Sequence, residues 1–262
     1  MTADESVVRV ERRDGGIAVV TMDNPKTRNA LSPNMLQGLA DTFEALMADP
    51  SARAIVFTGA GETFCAGGDI SHMKRERRIL DSRASMSRNH RIVRAIVAGP
   101  KPVIAAAEGP AAGAGLSLAV CCDYVVAGKG SSFSAAFAKV GLVPDLGLFW
   151  SLPQRVGLGM AKRMILLAPV VKAEAALELG IVDELTDQGA AMGRALELAA
   201  EFAAVAPLSV AVTKAVYAEG CTTLEDCLRA ERDHQPYLFR SEDHLGAVEA
   251  FRIKKPFAFH GN

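Results

Sequence analysis

The sequence predicts an α/β fold, in which a layered core of strands and helices precedes a region that is almost wholly helical. Short apolar and β-branched runs alternate with helical patterns as far as about Gly130. Beyond Leu146 almost every segment has the residue spacing of a helix. We therefore expect residues 1–200 to form the core and residues 201–262 to form a helical C-terminal region.

The first elements expected are two strands around a turn, because β-branched residues flank Asp14-Gly15-Gly16, a sequence that tolerates positive φ. A helix follows, with Ser32 suited to its N-cap and Pro33 to its first position. The segment RAIVFTG, residues 53–59, is the next strand. Apolar residues of the helix recur at three- and four-residue steps: Met35, Leu36, Leu39, Ala40, Phe43, Leu46 and Met47.

A glycine turn, CAGGDI, and a charged segment from about Ser71 to Arg91 lead to the run KPVIAAA, residues 101–107. This run has no polar face, which predicts a buried strand. A helix of small residues follows within EGPAAGAGLSLAVCCD, which has no charge between Glu108 and Asp123. Such small side chains indicate that another group comes close to this backbone. The segment YVVA is a further short strand.

Two helices of the C-terminal region have clear start signals. Pro207 suits the first position of one, and the acidic residues after Ser241 favour the start of the other. In the tail GAVEAFRIKKPFAF, Phe251 and Lys254 have the spacing of residues one turn apart on a helix.

The composition favours a small molecule as partner. Half of the residues are hydrophobic, and 29 Lys and Arg residues balance 30 Asp and Glu residues without a dominant basic block. This balance gives no electrostatic footprint for nucleic acid. No apolar run reaches about 18 residues, so we expect no membrane partner. The five cysteines are odd in number and lack CxxC spacing, which predicts reduced thiols in a cytoplasmic protein.

Five motifs occur in order along the chain: NPKTRNALS, ETFCAGGDI, KPVIAAAEGPAAGAGLSLA, CDYVVA, and GLVPDLG followed by LPQRVG. This set resembles the enoyl-CoA hydratase/isomerase (crotonase) family, closely from Val7 to Leu185 and more loosely beyond. The resemblance implies a spiral of ββα units with a helical C-terminal region that drives assembly of a homotrimer or a hexamer. It also implies an acyl-CoA thioester as substrate, with coenzyme A as part of that substrate and no separate cofactor or metal.

The resemblance further implies that the backbone N–H groups of Gly68 and Ala114 hold the thioester carbonyl oxygen as it gains negative charge. Small residues leave such donors accessible, and a helix that begins at Ala114 adds positive potential there. The alternative is that the small residues only permit close helix–sheet packing. The residues expected to contact coenzyme A are Arg28, Ala66, Asp69, Ile70, Phe251 and Lys254, the last two on the coenzyme of a neighbouring subunit.

Two carboxylates of the family's hydratases are absent from this chain. The resemblance places Ser117 and Phe137 where hydratases carry the two glutamates that hold and deprotonate water, and neither can ionise in that role. Asp145 lies where several isomerases of the family carry their acid/base. The site pattern is therefore closest to isomerase-type members. The alternative for Asp145 is the N-cap of the following helical segment, and both roles can hold together.

His90 suggests a second chemistry, because it falls where the family's aroyl-CoA dehalogenases keep a histidine base. With Asp145 as nucleophile, such a pair can form and hydrolyse a covalent intermediate. A solvated histidine is the alternative. Cys65 and Glu108 also lie close to the motifs, and we expect Cys65 to pack in the core and Glu108 to have no role in the site.

We therefore expect an acyl-CoA isomerase that shifts a double bond, with Asp145 as the proton carrier. Three alternatives remain open at this point. They are a hydratase-like enzyme, an aroyl- or acyl-CoA hydrolase that uses Asp145 and His90, and a protein that binds CoA thioesters without turnover.

Overall fold

The computed structural model describes residues 7–72 and 78–262 of the chain. Its strands are β1 (Val8–Arg13), β2 (Ile17–Met22), β3 (Ala54–Gly59), β4 (Val103–Ala107), β5 (Pro110–Ala112), β6 (Tyr124–Gly128), β7 (Ser132–Ser134), β8 (Val171–Lys172) and β9 (Glu184–Thr186). Its helices are α1 (Pro33–Ala48), α2 (Ile79–Ala98), α3 (Ala114–Cys121), α4 (Leu148–Leu167), α5 (Ala173–Glu178), α6 (Ala191–Ala203), α7 (Pro207–Glu219), α8 (Leu224–Leu238) and α9 (Glu242–Arg252).

The larger sheet within the described residues has the strand order β1-β2-β3-β4-β6-β9. Strands β1 and β2 form the expected antiparallel pair around Asp14–Gly16, and the other neighbours run parallel. Every residue of β2 and β4 is buried, as is typical of strands covered on both faces. The α/β core predicted from the alternating pattern is confirmed.

A second, smaller sheet pairs β5, β7 and β8. These strands, and β9 at the edge of the larger sheet, have only two or three residues each. The expectation that the chain beyond Leu146 is almost wholly helical is therefore incomplete, because β8 and β9 lie there. Runs this short contain no readable periodicity, and their pairing is determined by neighbours distant in sequence.

The first long helix, α1, forms as its start signals predict. The hydroxyl of Ser32 accepts a hydrogen bond from the N–H of Met35 at 3.2 Å, which caps the helix. Five of the seven apolar residues expected on its inner face are fully buried: Met35, Leu39, Ala40, Phe43 and Leu46. This face packs on one side of the sheet, where it fixes the position of the chain that leads into the helix.

The core has two apolar layers, one on each side of the sheet. Successive residues of β2 alternate between them: Ala18 and Val20 face the side of α1, whereas Ile17 and Val19 face the other. Helix α6 covers that second side through its own buried apolar residues. The expected boundary between residues 200 and 201 falls within α6, so the structure continues the core to the end of this helix.

Helices α7 and α9 begin where the sequence predicts, at Pro207 and after the N-cap Ser241. Helix α9 ends at Arg252, however, and Lys254 lies beyond it with a φ of 53°. The expectation that Phe251 and Lys254 lie one turn apart on a helix is therefore wrong. The N–H groups of residues 254 and 255 bond back to carbonyls of the last turn, which closes the helix instead of continuing it.

A buried cation joins α7 to the core. The ammonium group of Lys214, only 8% exposed, donates to the carbonyl oxygen of Ile96 at 2.9 Å and forms an ion pair with Asp123. Asp123 in turn accepts a hydrogen bond from the N–H of Val103 at 2.7 Å.

Within the described residues, no single helix is both long enough and apolar enough to cross a membrane. Helices α6 and α7 meet these two criteria only when they are taken together, and the pair is bent by 105°.

We predict that Lys214→Met lowers the free energy of unfolding by about 1–3 kcal/mol, because a buried carbonyl loses its donor and a half-exposed carboxylate loses its cation. Urea denaturation measures this change. The matched control is Lys162→Met, at an exposed position of α4, which should leave the midpoint unchanged. Equal midpoints for both variants would show that Lys214 does not hold α7 in place.

Candidate functional site

A cavity of about 410 Å³ lies between α1, α2, the glycine loop (residues 65–69) and the start of α3. Gly68, Ala114 and Asp145 all line it. A second cavity, of about 490 Å³ between α3, α4 and α7, contains none of the residues expected at the site. The structure thus brings together the three residues on which the sequence-based hypothesis depends.

The glycine loop, residues 65–69, runs between two other segments and pairs with both. On one side the N–H of Cys65 donates to the carbonyl of Pro110 at 3.1 Å. On the other side the N–H of Leu31 donates to the carbonyl of Gly67 at 2.8 Å. Isolated bridges on both sides extend this pairing. The loop is therefore held like the central strand of a small sheet, which makes its remaining N–H groups rigid.

Asn29 holds the segment that leads into the glycine loop, and the sequence motifs did not indicate this role. Its side chain is fully buried and donates to the carbonyls of Ala60 at 2.9 Å and Thr63 at 2.7 Å. Its own amide oxygen accepts from the N–H of Asn24 at 3.0 Å. Asn29 adopts a φ of 56°, which asparagine tolerates better than most residues. The sequence signal for this role is that Asn29 is a polar residue directly before the apolar pair Ala30-Leu31 in the first motif, NPKTRNALS.

Small residues allow the loop and α3 to approach backbone to backbone. A Cβ atom on Gly115 would lie 2.3 Å from the carbonyl oxygen of Cys65, and one on Gly67 would lie 2.7 Å from that of Ala112. Neither contact is sterically allowed. The close-packing role considered for these residues is therefore real at Gly115 and Gly67, and it brings the start of α3 next to the loop.

Two backbone N–H groups remain available at this junction. Those of Gly68 and Ala114 donate to no acceptor in the described part of the chain. Ala114 is the first residue of α3, and its N-cap, Gly113, provides no side-chain oxygen. Helix N-termini carry positive potential, and rigid backbone donors stabilise an oxygen that gains negative charge. The cavity thus has two unpartnered backbone donors in its lining, one of them at the start of a helix.

Asp145 lies in the turn before α4, half-buried, and its Oδ1 atom is buried without a hydrogen-bond partner among the described residues. Burial raises the pKa of this carboxyl group from its ordinary value of 3.8 to about 6. The N-cap of α4 is Gly147, with no side-chain cap. The alternative that Asp145 caps this helix is therefore wrong, because the turn places it two residues too early.

A second carboxylate, Asp69, also lines the cavity. Its Oδ1 atom accepts hydrogen bonds from the N–H and the hydroxyl of Ser71 at 2.9 and 2.7 Å. Those bonds occupy the oxygen. Within the lining, Asp145 is therefore the carboxylate best suited to exchange protons near neutral pH.

The residues at the positions of the two absent glutamates cannot activate a water molecule in the cavity. Ser117 is fully buried in α3, and its hydroxyl lies 3.4 Å from the carbonyl oxygen of Gly113. Phe137 is buried as well, and neither residue lines the cavity. No pair of ionisable groups at these positions can hold and activate a water molecule.

The structure does not bring His90 and Asp145 together at the cavity. His90 is exposed on α2 and is not part of the lining, whereas the adjacent Asn89 is. Neighbouring residues of a helix point in different directions, so the position of Asn89 turns His90 away. This arrangement supports the solvated reading of His90 and removes the geometric basis for hydrolysis by an Asp–His pair.

Two further polar residues near the motifs have structural roles. The thiol of Cys65, at the start of the glycine loop, is fully buried, and burial raises its pKa to about 12, so it is not a nucleophile at neutral pH. The carboxylate of Glu108 accepts from the N–H of Ala191 at 3.0 Å at the start of α6 and from the side chain of Gln188 at 2.9 Å. It therefore supports a helix N-terminus instead of facing the cavity.

The residues expected to contact coenzyme A lie in two groups. Arg28, Ala66, Asp69 and Ile70 are on or beside the glycine loop, where the carbonyl of Arg28 accepts from the N–H of Ala66 at 3.0 Å. Arg28 and Ile70 are exposed, whereas Ala66 and Asp69 are half-buried. Phe251 and Lys254, both exposed, lie at the C-terminal end of the chain. Contact with the coenzyme stays a prediction for both groups.

Comparison with known proteins gives consistent matches over nearly the whole chain. The sequence model of the enoyl-CoA hydratase/isomerase family matches residues 12–262. The 1,2-epoxyphenylacetyl-CoA isomerase of Escherichia coli K12 is 34% identical over 250 residues, or 94% of this chain and 95% of that protein. The short-chain-enoyl-CoA hydratase of Clostridium acetobutylicum is 33% identical over 245 residues, or 93% and 94%. The crystal structure of an enoyl-CoA hydratase from Polaromonas sp. JS666 covers 96% of this chain and 99% of that one, with a TM-score of 0.90 and 32% identity.

We predict that Asp145→Asn stabilises the protein at neutral pH. The carboxyl group of Asp145 has a pKa of about 6 in the folded protein, above the ordinary value of 3.8. Between these pH values the folded protein therefore binds more protons than the unfolded chain. The free energy of unfolding then falls as the pH rises from about 4 to 6. Removing the charge should recover up to about 3 kcal/mol at pH 7.5 and almost nothing at pH 4. Urea unfolding at both pH values measures this. Asp14→Asn, at an exposed turn, is the control, and an equal effect of the two substitutions would contradict the burial argument.

Proposed function

The chain belongs to the enoyl-CoA hydratase/isomerase family and has its crotonase fold, and from this premise we propose that it is an acyl-CoA isomerase. Its substrates are acyl-CoA thioesters. The observation that carries the proposal is the buried, unpartnered carboxylate oxygen of Asp145 in the same cavity as the N–H groups of Gly68 and Ala114. One proton carrier and one oxyanion site are the minimum that a double-bond shift requires.

The proposed reaction begins with a 3-enoyl thioester whose carbonyl oxygen accepts hydrogen bonds from Gly68 and Ala114. Asp145 takes a proton from the carbon next to the carbonyl, and the electron pair moves onto the oxygen as an enolate. The backbone donors stabilise the negatively charged oxygen of the enolate more strongly than the neutral carbonyl oxygen of the substrate. Asp145 then returns the proton to the carbon two atoms farther along the chain, which gives the 2-enoyl isomer. No water is added, and no group leaves.

The names of the relatives divide between isomerase and hydratase, so they support the family more than either reaction. The residues of this chain favour isomerisation, because Ser117 and Phe137 replace the two carboxylates that hydration needs. The raised pKa of Asp145, about 6, suits a group that must both take and return a proton near neutral pH. We further propose a homotrimer or hexamer, with residues 201–262 at the subunit contacts.

We predict that Asp145→Asn slows isomerisation of a 3-enoyl-CoA by at least about two orders of magnitude, the low end of what loss of a general base costs. The Kd for a saturated acyl-CoA should change little, because the oxyanion donors are main-chain groups. Chromatography resolves the two isomers, and mass spectrometry confirms equal mass. Activity of Asp145→Asn within a few-fold of wild type, alongside an unaffected Asp14→Asn control, would assign the base to another residue.

The same assay separates the alternative functions. A product of unchanged mass supports the isomerase. A gain of one water on a 2-enoyl-CoA indicates a hydratase, and release of free coenzyme A indicates a hydrolase. Binding of all the thioesters without turnover indicates a protein that has lost catalysis.

We predict that kcat/KM for isomerisation falls below about pH 6, tenfold per pH unit, because a protonated Asp145 cannot accept the substrate proton. The profile of kcat/KM reports the free enzyme, in which the carboxyl group has the pKa argued here. Initial rates between pH 5 and 8 give this profile. A flat profile between pH 5 and 7 would exclude Asp145 as the group that must be ionised.

A further inference from the structure

We propose that Cys221 and Cys227 are a redox-active pair, which small-molecule disulfides oxidise to a reversible intramolecular disulfide between the end of α7 and the first turn of α8. Neither residue lines the cavity of the proposed reaction. The inference therefore concerns a separate modification site and does not depend on that reaction. All five cysteines are free thiols in the structure, so the reduced pair is the starting state.

The chain brings these two cysteines together through the way in which α8 begins. Gly220 follows α7 with a φ of 87° and turns the chain. Thr223 then caps α8, because its hydroxyl accepts from the N–H of Asp226 at 3.2 Å and its own N–H donates to the carboxylate of Asp226 at 3.3 Å. Such a cap folds the preceding residues back against the first turn. Cys221, two residues before the cap, thereby contacts Cys227, the fourth residue of the helix.

The two sulfur atoms of the pair are close to bonding distance. Their Sγ atoms lie 2.7 Å apart, and the sulfur atoms of a disulfide are about 2 Å apart. A bond therefore requires a movement of less than about 1 Å, which is within the reach of side-chain rotation. The capping hydrogen bonds hold both segments of backbone in place without the bond, so oxidation requires no refolding of this corner.

The other three cysteines are protected from the same reaction. Each is buried, and each thiol donates to a backbone carbonyl oxygen at a distance between 3.1 and 3.3 Å. Burial raises the pKa of all three thiols, and a buried neutral thiol is unreactive. These protected residues are Cys65, Cys121 and Cys122. Oxidation should therefore be selective for the pair.

Small molecules can reach the pair from a cavity of about 190 Å³ between α7 and α8. Cys221 is part of its lining, and both cysteines of the pair are only half-buried. The thiol of Cys221 donates to the sulfur of Cys227, and this hydrogen bond raises the pKa of Cys221 to about 11. Its thiolate is therefore scarce at neutral pH. We expect oxidation over minutes to hours instead of seconds.

The oxidant is a small-molecule disulfide, and the reaction is a thiol–disulfide exchange in two steps. One thiolate of the pair attacks a sulfur atom of the reagent, whose S–S bond breaks and releases one reagent thiolate. The second cysteine loses its proton to solvent and attacks the protein sulfur of the mixed disulfide, which releases the other reagent thiolate. Two protein thiols thus lose two electrons to the reagent disulfide, and solvent returns their two protons to the released thiolates. A thiol reductant reverses both steps.

The test treats the full chain with oxidised glutathione without denaturant and then alkylates the remaining thiols in urea. Alkylated thiols should fall from the five of the reduced chain to three. Trypsin cleaves after Lys214 and Arg229, so residues 215–229 form one peptide that contains both cysteines. This peptide should be unalkylated and two hydrogens lighter than its reduced form. A second protease that cleaves after Glu225 separates the cysteines, and the pieces should stay joined until dithiothreitol is added.

Two variants make the test specific. Cys227→Ser removes one thiol of the pair, so no internal disulfide should form in residues 215–229. The matched control is Cys122→Ala, at a buried thiol directly after α3, which should leave the disulfide unchanged. Oxidised wild type should have a urea midpoint at least as high as that of the reduced protein, because a disulfide restricts the unfolded chain. Circular dichroism verifies that each variant is folded.

The inference is overturned if residues 215–229 stay reduced, if they carry glutathione without an internal disulfide, or if the bond joins two copies of the chain. Equally fast oxidation of the three buried cysteines would contradict the selectivity of the pair. A midpoint that falls on oxidation would show that the bond distorts the corner between α7 and α8 instead of fitting it. None of these results bears on the proposed isomerase, which its own assay tests.

Discussion

The pairing of the glycine loop with two separate segments is the constraint on which the site depends. The loop pairs with the chain before α1 on one side and with β5 on the other. This arrangement fixes the N–H groups of Gly68 and Ala114 relative to each other, although they are distant in sequence. The buried side chain of Asn29 bonds to the carbonyls of Ala60 and Thr63, in the segment that leads into the loop. The donors are thus positioned by hydrogen bonds formed during folding, which is the preorganisation that their proposed role requires.

The parts of the fold that the sequence predicted have strong local signals. Helix α1 begins after Ser32 because a hydroxyl cap and a proline define its first turn, and β4 is recognisable as an apolar run closed by small residues. Strands β5 and β8 have no such signal. They form because their neighbours present free backbone groups at the right distance, which is a property of the assembled chain. Their existence could not be inferred from two or three residues.

The candidate site divides in the same way. The glycine loop, Ala114 and Asp145 were predicted as a set from the family resemblance, which rests on motifs that are local and ordered along the chain. The alternative that Asp145 is the N-cap of α4 is wrong, because the helix begins after Gly147, two residues later. The exposure of His90 depends on the rotation of α2 about its axis, and the position of Lys254 depends on where α9 ends. Both are set by packing, which a local pattern does not encode.

The two donors of the proposed oxyanion site are main-chain atoms, and this has a consequence for how such a protein diverges. Apart from proline, which has no N–H, every residue at position 68 or 114 keeps the donor, although a bulky side chain can obstruct it. Carboxylates, by contrast, are gained or lost by a single codon change. By the resemblance to the family, positions 117, 137 and 145 are three places where members carry or lack a carboxylate, and this chain has one only at Asp145. Chemistry on this scaffold can therefore change by relocating an acid, while the ability to bind a thioester passes on unchanged.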